Sequence, residues 1–248
     1  METINGEWYM SGCSPTAPNC LHDTVDLIAL IHRIGFIPLF ENSIPGFSVE
    51  ENTPADFWWT GDSERDPWEW RMILARDPEI AYGKMFHRRA GFISKEWFPA
   101  FANYRRNGYD FDALYEDGMA SYRAKAIMDV FALDEKMTGR EIMSYDIKAE
   151  AGFGKGGHKN FEGVLTDLQI QTYLIMSDFR QKKNKLGQEY GWHIAAFETP
   201  ETKWGYENTT ALYKEDPSES WGRILGQMRI HFPDADEKEI RKVLGLRR

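Results

Sequence analysis

Residues 152–174, "GFGKGGHKNFEGVLTDLQIQTYL", decide how this chain is read, because glycines at 152, 154 and 157 have the spacing of a dinucleotide-binding turn and lead into an amphipathic segment. Such a turn must follow a strand, whose end and the next helix N-terminus together hold the pyrophosphate, and it needs an acid about 20 positions on. The preceding "SYDIKAEAGF" (144–153) has a helical pattern, and Asp178, near the required distance, falls in a β-rich run. The stretch therefore reads better as a turn between two packed helices, where glycines permit positive φ. Asn160 is a suitable N-cap, and Phe161, Val164, Leu165 and Leu168 form one apolar stripe. "TYLIMSDFRQ" (172–181) and "EYGWHIAAFETP" (189–200) are β-rich runs joined by the polar turn "KKNKLG". Helix, turn, helix and hairpin in that order describe a winged helix-turn-helix in an α+β chain.

Upstream, "LHDTVDLIALIHRIGFIPLF" (21–40) places Val25, Ile28, Ala29 and His32 at helical spacing, with Gly35 and Pro38 ending the pattern. An acidic, Pro- and Gly-rich loop follows and leads to a short helix from Trp68 to Leu74, with Asp66 as its cap ahead of Pro67. Residues 80–94 alternate as two strands about a tight turn, Ser94 can cap a helix containing Lys95 and Glu96, and Asp110 to Phe131 reads as one further helix. From Thr138 a short helix carries Ile142 and Ile147, and after Pro217 two terminal helices take Ser218 and Asp234 as caps. Helix, helix and hairpin thus recur in residues 20–100, which leaves room for a second, tandem winged helix. The chain divides on this reading into an N-terminal α+β domain, residues 1–135, and a winged-helix domain with C-terminal helices, residues 136–248.

Composition narrows the function classes. Aromatic residues make up 14 % of the 248 positions and charged residues 28 %, so the chain has enough apolar surface to offset its ordering entropy. The N-terminus lacks a signal-peptide pattern and no run of 18 apolar residues occurs, which predicts a cytoplasmic protein without a membrane partner. Cys13, Cys20 and His22 match no common zinc spacing, so neither metal nor cofactor is expected and both thiols are expected to be reduced. The net charge of −9 argues against general nucleic-acid binding, yet residues 148–188 hold seven Lys/Arg against four Asp/Glu.

That basic island supplies the candidate DNA contacts: Lys155, His158 and Lys159 at the turn, and Arg180, Lys182, Lys183 and Lys185 in the wing, suited to tracking the phosphates of a duplex. Glu162 and Asp167 on the same helix would repel phosphates. A basic hairpin tip is also compatible with a plain solvated turn or with a protein-binding module. In "LQIQ", alternation around Ile170 would put the amides of Gln169 and Gln171 on one side, to hold a water or to flank a buried isoleucine. The acids Asp62, Glu64, Asp66 and Glu69 could offer a general base or form a solvated loop.

Five strings, "PLFENSIPGFSVEENTP", "GDSERDPWEWR", "YGKMFHRRAGFISKEWFPAFANYRRNGYDFD", "AGFGKGGHKNFEGVLTDLQIQTYLIMSDF" and "YGWHIAAFETPE", resemble the short bacterial proteins called AlkZ-related. These are distant relatives of the AlkZ and YcaQ winged-helix DNA glycosylases. The likeness spans about Ile37 to Lys242. It implies tandem winged helices and a Gln-x-Gln motif that holds the water hydrolysing the glycosidic bond of alkylated bases, a role that falls on Gln169 and Gln171. In the longer enzymes the motif lies towards the N-terminus, whereas here it lies two thirds along the chain. The resemblance implies a DNA-repair glycosylase; the alternative is a non-catalytic winged-helix module that binds a protein partner or a small ligand.

Overall fold

The computed structural model describes residues 2–4, 7–132, 141–184 and 186–245. A small N-terminal hairpin, β1 (Glu2–Ile4) and β2 (Glu7–Tyr9), precedes α1 (Thr24–Ile34), β3 (Phe36–Pro38) and a long loop containing two short 3-10 turns. Then come α2 (Pro67–Ala75), the hairpin β4 (Ile80–Phe86) and β5 (Arg89–Ser94), and the helices α3 (Phe98–Arg106), α4 (Phe111–Glu116) and α5 (Tyr122–Ala132). The second half comprises β6 (Ile142–Met143), α6 (Ser144–Glu150), α7 (Phe161–Ile170), and the hairpin β7 (Ile175–Lys183) and β8 (Glu189–Glu198). Four helices close the chain: α8 (Pro200–Trp204), α9 (Tyr206–Thr209), α10 (Pro217–His231) and α11 (Glu237–Leu244).

Six strands form one antiparallel sheet in the order β3-β5-β4-β7-β8-β6. The order is symmetric about its centre. In each half a helix leads to a short strand, further helical structure and a hairpin, and the short strand pairs with the hairpin's second strand. The register pair Tyr82↔Met176 joins the halves between β4 and β7. Each half alone would be a three-stranded sheet with an open edge at its hairpin's first strand; joining them covers both edges. Phe36, Phe47, Trp70, Phe92, Phe98 and Phe101 lie fully buried in the core, and α10 packs along α3.

Local chemistry explains most boundaries. The Asp23 carboxylate accepts from the amides of Val25 and Asp26 to start α1, and Gly35 at φ 95° ends it. The buried face of α1 is Leu27, Leu30, Ile31 and Ile34, while Val25 is 70 % exposed. The expected stripe through Val25, Ile28 and His32 loses because the competing register offers four large aliphatic groups at i, i+3, i+4 and i+7. Asp66 is buried and accepts from Trp68 N and Gly61 N, so this member of the acidic cluster is a helix cap, as expected.

Several expectations are corrected. The helix expected over 110–131 is two, because Gly118 at φ 72° turns the chain after α4. Ser94 ends β5 and Trp97 stands at the start of α3, so Lys95 and Glu96 are not helical. Ile142 lies in β6, leaving Ile147 in α6; Thr138, where that helix was expected to begin, lies outside the described residues. Asn160 precedes α7 in a left-handed conformation, φ 66°, and its side chain makes no capping bond. Asp216 and Asp236, rather than Ser218 and Asp234, cap α10 and α11 through the amides of Ser218 and Lys238.

Candidate functional site

The sequence-derived residues fall into three places. Gln169 sits in α7 with 1 % of its surface exposed. Its Nε2 donates to Leu165 O (3.0 Å) and its Oε1 accepts from Lys84 N (3.0 Å), so the amide ties the helix to β4 where that strand departs from β7. Gln171 is half-buried and ends the helix, its backbone N–H donating to Asp167 O (3.0 Å). Helical residues two apart point about 200° apart around the axis, so the shared side expected from strand alternation does not form.

The glycine-rich turn between α6 and α7 is compact. Gly152 adopts φ 71°, and a Cβ on Gly157 would lie 2.1 Å from Gly152 O, which accounts for both glycines without a phosphate. His158 is wedged between the rings of Tyr122 and Phe153, each 5.3 Å away, and so fastens the turn to α5. Lys155 and Lys159 remain exposed.

In the hairpin, Arg180 is bound to Asp178 (2.5 Å) and to Glu141. Burial opposes ionisation of Asp178, but hydrogen bonds from Arg180, Arg76 and Phe179 N outweigh it and hold the carboxyl below its usual range. Lys183 is 3.8 Å from Glu189, and the Lys182 ammonium lies 5.2 Å from the centre of the Tyr145 ring. Lys185 lies outside the described residues. Near the tip Leu186 is 82 % exposed and Trp192 91 %.

A fourth place carries a stronger anomaly, which motif reading missed. At the seam of the two half-sheets lies a cavity of about 530 Å³, lined by Tyr82 and Met176, the pair that joins the halves. Phe40, Trp68, Phe179 and Ala195 add apolar wall, and Arg71, Lys84, Arg88, Arg89 and His193 complete the polar part of the lining, which among the described residues includes no carboxylate. Arg71 projects from α2 and is only 6 % exposed. Its guanidinium lies 3.6 Å from the centre of the Trp68 ring and 4.3 Å from that of Phe179. Burial pulls its pKa down, while Tyr82, which shares a hydrogen bond with it, is pushed up to about 12 mainly by its own burial. Among the described residues Arg71 Nε has no hydrogen-bond partner. The available signal was spacing: Pro67, Trp70, Arg71 and Leu74 fall at i, i+3, i+4 and i+7, putting an arginine on an apolar helix face.

Among the described residues no group of three or more His, Cys, Asp or Glu could hold a metal ion, and no helix is long and apolar enough to cross a membrane. Cys13 and Cys20 are free, and burial with the neighbouring Cys13 pushes the Cys20 thiol up to about 12. The family model described as AlkZ related matches residues 21–245. No curated protein and no solved structure matches the chain.

Proposed function

The chain belongs to the AlkZ-related family, and from that premise we propose that it is a DNA-associated protein built from two winged helices. The observation that carries this reading is the order α5-β6-α6-α7-β7-β8 with sheet order β6-β8-β7, repeated as α1-β3-α2-β4-β5 with β3-β5-β4. The succession of helix, strand, helical structure and hairpin, with the first strand against the hairpin's second, supports a winged-helix reading, the N-terminal half having α2 and two 3-10 turns where the C-terminal half has α6 and α7. The division at residues 135 and 136 belongs to this proposal and falls outside the described residues. Lys155, Lys159, Lys182 and Lys183, together with Lys185, are the cations offered to phosphates. His158 and Arg180 would serve mainly by shaping the turn and the wing.

The finer reading is a glycosylase in which water attacks the anomeric carbon. The C–N bond to an alkylated base breaks, a C–O bond forms, and the water's proton leaves. Gln169 and Gln171 would orient that water; Gln169 must then give up its bonds to Leu165 O and Lys84 N when DNA binds. A cationic alkylated purine is a good leaving group, so neutral amides could suffice.

Binding to native duplex and to duplex with an abasic-site analogue, at low and moderate salt, tests the first step. Retention that weakens steeply with salt and collapses in Lys182→Ala/Lys183→Ala supports the DNA reading. No retention at low salt overturns it. Excision of N7-alkylguanine by the wild type, lost in Gln169→Ala and Gln171→Ala variants that remain folded, supports catalysis; unchanged excision removes that role. A second reading, a protein-binding module, is favoured by the neutralisation of Arg180 and by the exposure of Leu186 and Trp192 on the hairpin. A protein partner lost on Trp192→Ser, with DNA retention absent, would select it.

A further inference from the structure

We propose that the seam cavity is a binding site for a small planar anion, an aromatic ring of indole or nucleobase size carrying a carboxylate or phosphate, with Arg71 as its charge partner. The argument starts from what Arg71 lacks. A buried cation is costly unless it is paired and hydrogen-bonded, and the terminal nitrogens of the other deeply buried arginines are met by several acceptors, although Arg105 Nε, like Arg71 Nε, has no partner among the described residues. Arg105 donates to the carbonyls of Met85, Ile170 and Leu244, and Arg106 reaches Thr172, Glu201 and Tyr213. Arg71 has two aromatic faces and the Tyr82 hydroxyl, with Nε unpartnered. The nearby acids are Asp66 and Glu69, and they reach it only through longer-range attraction; Asp66 is already engaged by two backbone amides. The faces of the guanidinium are stabilised by the rings, while its N–H fork still wants an acceptor.

The surroundings fix the class of ligand that would supply it. In a chain of net charge −9, the described lining has four Lys/Arg and a histidine without a carboxylate; Arg88 is paired with Asp167 (2.5 Å) and Arg89 with the Glu41 backbone and carboxylate, so Arg71 and Lys84 contribute most of the field that selects anions. The ring pairs Phe40/Trp68 (6.4 Å between centroids, planes inclined at 39°) and Tyr82/Phe179 (6.0 Å, 58°) give a faceted apolar wall, one face of which a planar body can contact. A volume of about 530 Å³ lies within the range of small-ligand pockets, about 300–1,000 Å³. A carboxylate or phosphate presents two oxygens to a guanidinium fork, the geometry arginine matches best. The ligand can be a free small molecule or a nucleotide within a strand. The charge partner is the same in both cases, and the site goes beyond the DNA reading rather than resting on it.

Calorimetric titration of the intact protein tests this with indole-3-carboxylate, its neutral amide, adenosine 5′-monophosphate, inorganic phosphate and a short single-stranded oligonucleotide. The planar anions should bind at least about tenfold more tightly than the neutral amide and than phosphate alone, the effect of one charge-assisted hydrogen bond or more. Arg71→Met should lose that advantage while unfolding no earlier than the wild type. Ala195→Phe, which fills the cavity and keeps the charge, should also block binding. Binding of the free monophosphate identifies a free ligand as occupant, and binding of the oligonucleotide alone, lost in Arg71→Met, identifies a nucleotide in a strand. Equal affinity for acid and amide, undiminished binding by Arg71→Met, or no binding of any probe at millimolar concentration overturns the proposal. None of these results depends on duplex retention by the β7–β8 hairpin, so the two readings fail separately.

Discussion

Arg105 on α3 and Arg71 on α2 are both almost wholly buried, 4 % and 6 % exposed, yet they do opposite things for the molecule. Arg105 is surrounded by backbone carbonyls from β4, from the end of α7 and from the end of α11. Burial draws its pKa down to about 9, so it stays charged at neutral pH, and its terminal N–H groups donate to three backbone carbonyls in the core. Among the described residues Arg71 satisfies no backbone acceptor; it shares one hydrogen bond with the Tyr82 hydroxyl of β4 and contributes a cation to a cavity wall. A buried charge wired into its surroundings is part of the fold, whereas one left half-satisfied beside a cavity marks where a partner is to arrive.

Stability measurements can break that comparison most directly. Arg105→Met strands three carbonyls and should cost about 3–5 kcal/mol, the loss expected when one side of a buried charged arrangement is removed. Arg71→Met replaces an under-partnered charge by a flexible apolar group among aromatic rings and should change stability by less than about 1 kcal/mol, or raise it. Urea denaturation of both variants decides the matter. Equal losses would mean that Arg71 is also structural.

The glutamines repeat the comparison at smaller scale. Gln169→Leu leaves the Lys84 amide without its acceptor and should cost about 1–3 kcal/mol, while Gln171→Leu, at a half-buried helix end, should stay within about 0.5 kcal/mol. A small effect at Gln169 would free its amide for chemistry and strengthen the glycosylase reading.

How much of this was legible in the sequence depended on how far apart the interacting residues lie. Both hairpins, 80–94 and 175–198, were readable because period-two alternation and turn residues are local. So was the cap at Asp66. The break at Gly118 is also a local signal, since glycine readily takes the positive φ that turns the chain there. The seam was not readable: β3 is three residues long, β6 is two, and the Tyr82↔Met176 pairing joins residues far apart in sequence. The two glutamines were placed on a strand because the helix end lies at Gln171, and a shift of a turn changes which side chains are neighbours. Arg71 was visible as an arginine on an apolar face, but its lack of a carboxylate partner is a fact about loops and strands far from it in sequence.

Acid sharpens the contrast between the seam and its rim. Asp178 is held by Arg76 and Arg180 with its pKa depressed. A depressed carboxyl contributes stability that is fully present above the unfolded value, about 4, and is lost as pH falls through the lower folded value. The wild type should therefore lose stability below about pH 4 more steeply than Asp178→Asn, read from thermal midpoints across pH 2 to 6. Arg76 and Arg180 are both about half-exposed, so solvent screening keeps the effect modest. Parallel curves would mean that the two arginines bring no net benefit to the folded carboxylate.

The smallest expected effect on stability falls at the hairpin, and it is informative for that reason. Lys182 and Lys183 project from the end of β7, where, among the described residues, Lys183 meets Glu189 loosely at 3.8 Å and Lys182 lies over the Tyr145 ring. Replacing both by alanine should alter unfolding by no more than about 0.5 kcal/mol. If these lysines meet phosphates, the same change should lower the slope of log affinity against log salt by about 1 for each residue. Stability and binding would then separate cleanly at the hairpin, as they are expected to separate at Arg71. An unchanged salt slope with an unchanged fold would leave the two lysines as solvated turn residues and move the search for a DNA contact to Lys155 and Lys159, on the turn before α7.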